Sequence, residues 1–306
     1  MSGTFLSHFS VLNTECTDHL LANYDRQEGE KTYADLTFGA GGHSLSLLDR
    51  HGDLQIIACD QDPDAFENGL KIIQEKNYTE NINLLNINFA ELPEYLSQRN
   101  VQLNGVVADL GVSSHQFDKD ERGFSFRRDA PLDMRMNYKN SEIYTAEEIV
   151  NGYLREELEQ IFFEFGEERF SKRIAEKIIE IRSREKIKTT KQLEDIVFHC
   201  YPKKMRFGKT NPSTRVFQAL RIEVNQELKV LSEAIPRILE CLKVGARMVV
   251  ISFHSLEDRI VKRAFKTASL NGGFKLIVKK PILPSKKEIN ENSRSRSAKL
   301  RVIEKI

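Results

Sequence analysis

"TYADLTFGAGGHSLSLLDRH", residues 32–51, sets three glycines between a short apolar run and a pattern with helical periodicity. A glycine-rich loop that joins a strand to a helix lets a ligand approach the backbone closely. No Gly-Lys-Ser/Thr follows, which excludes a P-loop. The sixth position of a G-x-G-x-x-G pattern is Ser44, so that fingerprint is incomplete.

Outward from this loop, strand-like and helix-like segments alternate. "LQIIACD", "INLLNINF" and "LNGVVADLG" read as strands after "TYADLTF", with "PDAFENGLKIIQEKN" and "LPEYLSQRN" as the helices between them. Alternation at this spacing implies βαβ units and a mainly parallel, doubly wound sheet covered on both faces. From about Gln116 to Asn211 the rhythm changes. A polar, basic loop leads into roughly four helical segments, in one of which Phe170, Ile174, Ile178 and Ile181 share a face. This stretch reads as an all-helical insertion. Asn211 and Pro212 then open a helix, in which Pro236 is expected to produce a kink or a division and which Gly245 ends. "ARMVVISF", "GFKLIVKKP" and "SAKLRVIEKI" supply the last strands. The organisation is therefore 1–115, first part of an α/β domain; 116–211, helical insertion; and 212–306, second part.

With 306 residues, 40% hydrophobic and 30% charged, the chain has the composition of a globular protein with a large core. Its longest apolar stretch, around "RMVVISF", is too short to cross a bilayer, and "MSGTFLSHFSVL" lacks the form of a signal peptide. Cys16, Cys59, Cys200 and Cys241 are widely spaced, arguing against a zinc site or a disulfide framework and for a cytoplasmic setting. No membrane partner and no required metal are expected. The acidic "FDKDE" reads as a solvated loop.

Charge narrows the ligand. Asp35, Asp60 and Asp109 end or follow predicted strands, and the glycine loop carries no Lys or Arg. Asp60 stands where a carboxylate accepts hydrogen bonds from ribose hydroxyls, as in both NAD and S-adenosylmethionine enzymes. Carboxylates at the rim disfavour a pyrophosphate and favour a cofactor with a sulfonium and an ammonium group. For Asp35 alone a turn-forming role is preferred. The reading is S-adenosylmethionine rather than NAD, and methyl transfer rather than hydride transfer.

The stretch "VVADLGVSSHQFDKDERGFSFRRDAPLDMRM", with "DLTFGAGGHS", "CDQDPDA", "GEERFSKRIA", "NPSTRVFQALRIEVNQEL", "ISFHSLEDRIVK" and "NSRSRSAKLR", closely resembles the bacterial 16S ribosomal RNA (cytosine-N4)-methyltransferase family, RsmH or MraW. The resemblance covers nearly the whole chain. It implies a class I, Rossmann-like methyltransferase that modifies the N4 of one cytidine in the decoding region of small-subunit RNA. It also implies cofactor contacts at Gly41, Gly42, His43, Asp60, Phe89, Asp109 and Gln116, and substrate recognition by the helical insertion. Where family members usually have Asn-Pro before the arginines, this chain has "NSRSRS", and Cys59 precedes Asp60. Neither departure touches an implied contact.

The acceptor amine of cytosine is a weak nucleophile, so the residues must chiefly position it and stabilise developing charge. Asp109, in the turn after the fourth strand, is the candidate for that task. His43 reads as a cofactor contact rather than a general base. His254 with Ser252 or Ser255 suggests a hydrolase only superficially: no G-x-S-x-G elbow exists, and Ser255-x-x-Asp258 has the form of a capping box. Three basic clusters point to RNA. Arg122, Arg127 and Arg128 interleave with Phe124 and Phe126. Lys203, Lys204, Arg206, Lys209 and Arg215 form a second group, and the tail supplies a third in Arg294, Arg296, Lys299 and Arg301. Phe124 and Phe126 are expected to stack on a flipped-out base. Competing readings are a methyltransferase for DNA or another RNA base, and a non-catalytic RNA-binding assembly factor.

Overall fold

The structure, a computed structural model, describes residues 10–208 and 211–306. Two compact units emerge. One ends at Gly111 and resumes over Leu228–Ile306; the other is the continuous segment Val112–Glu227.

The first unit is built on a seven-stranded sheet: β1 (Thr32–Asp35), β2 (Gln55–Cys59), β3 (Ile82–Leu85), β4 (Leu103–Asp109), β5 (Leu242–Ser252), β6 (Phe274–Leu276) and β7 (Lys299–Lys305). Their order is β3-β2-β1-β4-β5-β7-β6. β1 to β5 run parallel, while β7 is antiparallel to both β5 and β6. This is the expected mainly parallel α/β architecture. Alternation along the strands sends Ala34, Val106, Ala108, Met248 and Val250 to one face. Tyr33, Val107, Val249 and Ile251 go to the other. Each face is covered by helices, so the strands are apolar on both sides. Strand order reverses between β1 and β4, and in such sheets the crevice beyond the carboxyl ends at that point is where ligands bind.

The second unit is helical. Segments Arg155–Glu164, Ser171–Arg182, Thr190–Cys200 and Ser213–Asn225 close around a core that includes Leu158, Phe162, Ile174, Ile178, Val197 and Leu220. The predicted face of Ser171–Arg182 is seen directly: Ile174 and Ile178 are buried, with Phe170 and Ile181 packed at the margin.

Four details differ from expectation. Ser213–Asn225 belongs to the helical unit, because Val216, Phe217, Leu220 and Val224 share its core. The helix expected to run on from Asn211 and Pro212 is two helices. The break between them falls at Gln226, whose φ of 50° ends the first helix, whereas Pro236 lies inside the next one, Glu227–Glu240. Gly245 does not end a helix. It sits within β5 at φ 81°, near the register shift in the β4–β5 pairing. The helix Asn13–Leu21, which buries Cys16 and Leu20, has no strong sequence signal.

Candidate functional site

β1, β2 and β4 deliver three carboxylates to one end of the sheet. Register fixes this: Asp35 pairs with Ala58 and Val107, placing Asp60 and Asp109 just beyond on the neighbouring strands. Asp35 is buried and structural, as expected for it. Its Oδ1 accepts from Thr37 N at 3.1 Å, and its Oδ2 accepts from Ser44 Oγ at 2.7 Å, which fixes both ends of the glycine loop. Thr37 in turn accepts from Asp109 N at 2.7 Å through Oγ1.

The loop then turns on Gly41, whose φ of 76° is left-handed and caps the helix Gly42–Arg50. A Cβ there would lie 2.7 Å from Phe38 Cζ, so the position needs glycine on two counts. Asp60 grips the loop from the side. Its Oδ2 accepts from Gly39 N at 2.8 Å and its Oδ1 from Asp62 N at 2.9 Å. Burial outweighs these two N–H groups and raises the Asp60 carboxyl to about 7. An ionised carboxylate has about four acceptor positions, so two remain for hydroxyl donors.

Phe89 follows β3 and opens a short 3-10 helix, Phe89–Glu91, whose approach is bound to the Asp60 turn. Asn86 Nδ2 donates to Asp60 O at 2.8 Å, and Asn88 Nδ2 donates to Gln61 Oε1 at 2.9 Å. Asn88 also closes a capping box with Glu91. These two asparagines, with Thr37 and Ser44, are positioning residues that the sequence reading missed. The Asn-x-x-Glu spacing was the available signal.

His43 lies in the first helical turn, with Nε2 at 3.5 Å from Asp109 Oδ2. Neither ring nitrogen nor Asp109 Oδ1, all buried, has a hydrogen-bond partner among the described residues. Burial pulls the imidazole pKa down, but the facing Asp109 and the charge of Asp35 together raise it above its ordinary 6.5. Buried polar groups normally find partners. Orphans grouped at the carboxyl end of a parallel sheet mark where a polar ligand fits. The arrangement suits a cationic ligand that also carries hydroxyls.

Gln116 is in the second unit, where Oε1 accepts from Ser113 N at 2.8 Å to cap the helix Ser114–Asp118. His254 caps Ser255–Leu270 with Glu257 as the box partner, not Ser255 with Asp258. Asp258 instead binds Arg301 Nε at 2.6 Å, with Lys299 Nζ at 3.4 Å, which engages two of the tail cations.

The first basic cluster needs correction. Arg122 is only 5% exposed; its Nη2 donates to the carbonyls of Arg135 and Met136 at 3.0 and 2.9 Å, and its guanidinium lies 4.6 Å from the Tyr138 ring centre. Phe124 is buried in the helical core, and Phe126 packs edge-on against Phe217 at 4.9 Å. Apolar burial has taken the rings that were expected to stack on a base. Arg127 and Arg128 are exposed, with Arg128 paired to Asp120 at 2.8 Å. Lys203, Lys204, Arg215, Arg294 and Arg296 are also exposed. Arg206 donates to the carbonyls of Tyr201 and His199. Lys209 lies outside the described residues.

Residues 5–306 match the MraW methylase family. A Trichodesmium erythraeum protein named ribosomal RNA small subunit methyltransferase H is 43% identical over 301 residues, covering 98% of this chain and 100% of that one. Proteins of the same name are similar at 44% identity in a Sulfurihydrogenibium species (97% and 98% covered) and at 41% in Clostridioides difficile (98% and 99%).

Proposed function

We infer, from the premise that the chain belongs to the MraW methylase family, that it methylates 16S RNA of the small ribosomal subunit. The acceptor is the N4 amine of a cytidine in the decoding region. The observation that carries the reading is the carboxylate-edged end of the sheet, with orphaned polar atoms on His43 and Asp109.

S-adenosylmethionine, when bound, supplies an activated methyl group. Gly41, Gly42, His43, Asp60, Phe89 and Asp109 would hold it. Asp60 would accept from its ribose hydroxyls, and the glycine loop would allow close backbone approach. The rim carboxylates offset the cofactor's positive charge. Asp109 would accept a hydrogen bond from the cytosine amine and so orient the acceptor nitrogen. As the amine becomes positive, that carboxylate stabilises it. Arg127, Arg128, Lys203, Lys204, Arg206, Lys209, Arg215, Arg294 and Arg296 contact RNA phosphates. The substrate is the small-subunit RNA, and the helical unit recognises it.

The test is methyl transfer from labelled cofactor to small subunits that lack the modification, followed by mass spectrometry of the nucleosides. N4-methylcytidine is expected. Label on free DNA or on another base overturns the acceptor assignment. Normal subunit binding without transfer leaves only an assembly role.

A further inference from the structure

The short helix Lys203–Arg206 leads to the most exposed large apolar side chain among the described residues, Phe207, at 85%. Its ring stands nearly perpendicular to that of Phe198 on the helix Thr190–Cys200, centroids 5.6 Å apart and planes at 77°. Most of the Phe207 side chain is left to solvent. On Phe198 the Arg206 guanidinium sits 5.3 Å from the ring centre, while Arg206 Nε and Nη2 donate to the carbonyls of Tyr201 and His199 at 2.9 and 3.1 Å. Arg206 therefore fixes the chain on which Phe207 is mounted. Lys203 and Lys204 are exposed beside it, and the run Phe198–Gly208 contains no Asp or Glu.

An exposed ring flanked by exposed lysines offers a flat apolar surface next to cationic groups. The exposed Lys203 and Lys204 beside it favour a polyanion with flat apolar groups. We propose that Phe207 is a base-stacking platform for a single-stranded segment of the RNA substrate, with Lys203 and Lys204 taking the adjoining phosphates. This rests on the RNA reading above and adds to it the strandedness of the RNA and the ring that receives a base. Stacking on aromatic rings tolerates any base, so the platform anchors the RNA without selecting the modified nucleotide.

The chain has no tryptophan, so Phe207→Trp introduces a single indole reporter. Titration with a short single-stranded oligoribonucleotide is expected to quench its fluorescence, and a duplex of the same sequence should quench far less. Phe207→Ala should weaken oligoribonucleotide binding about tenfold or more. Phe207→Trp should retain it, with thermal unfolding and cofactor affinity unchanged in both. Lys203→Gln and Lys204→Gln should each reduce the salt slope of binding by about 0.7.

If Phe207→Ala binds RNA normally while the lysine variants weaken it, the platform is refuted and the RNA reading stands. If Phe207→Ala loses affinity for whole subunits but not for RNA extracted from them, the ring docks on protein, and the proposal falls. If the wild type binds neither the oligoribonucleotide nor subunit RNA, the reading beneath it fails as well.

Discussion

His43 Nε2, on the helix Gly42–Arg50, faces Asp109 Oδ2, at the end of β4, across 3.5 Å. Because the imidazole pKa is raised, His43 holds its proton more tightly in the folded protein than in the unfolded chain. The stability this contributes is complete below the ordinary 6.5 and is lost as pH rises through the folded value. Asp109→Asn removes the facing charge. NMR titration of the His43 ring should show its pKa fall in that variant; an unchanged value would mean that the pairing does not act in solution.

The same substitution bears on turnover. At saturating cofactor, Asp109→Asn is expected to lower kcat about a hundredfold, since a neutral amide cannot balance charge growing on the amine. Single-turnover transfer to unmodified subunits measures this, and an unaltered rate would restrict Asp109 to cofactor contact.

Asp60 gives the pocket a pH signature of its own. With its carboxyl raised from 3.8 to about 7, the ligand-free protein keeps this group's stabilising contribution below about 3.8 and loses it as pH climbs through 7. Cofactor binding should run the opposite way, because hydroxyl donors need the ionised form. Calorimetry between about pH 5.5 and about pH 8 is expected to show affinity rising towards about pH 7, by up to about tenfold per pH unit, and then levelling. Affinity independent of pH would remove Asp60 from the ribose contact.

Gly41→Ala combines left-handed backbone with a Cβ forced against Phe38. A loss of about 1–3 kcal/mol in unfolding free energy is expected, together with weaker cofactor binding. Denaturant unfolding with and without cofactor separates the two effects.

Arg122 and Arg127 should behave as different kinds of residue despite their proximity in sequence. Arg122→Ala leaves the carbonyls of Arg135 and Met136, the second of them buried, without their charged donor and should cost about 3 kcal/mol. Arg127→Gln should leave stability within about 0.5 kcal/mol and reduce the salt dependence of RNA binding. Paired unfolding and filter-binding measurements distinguish the roles.

The parallel sheet was legible because apolar runs alternate with helical periodicity and end in Asp or Gly, patterns that register and turn geometry require. The carboxylates could be placed for the same reason: strand ends fix their position whatever lies around them. Arg122 and Phe124 could not. A basic-aromatic cluster has one appearance whether it faces solvent or closes a core, and only the packing around Tyr138 and Phe217 decides between them. Gln226 was equally hidden, since a single left-handed residue can divide a helix without glycine or proline to announce it.

The helical unit is one continuous segment, whereas the sheet that surrounds it in sequence is interrupted after β4. During synthesis from the N-terminus, β4 therefore leaves the ribosome long before β5 exists to pair with it. The helical unit can complete its own core in that interval, while β4 presents an unpaired edge open to intermolecular association. Nascent chains stalled before Leu242 should accordingly be the aggregation-prone species in the life of this protein.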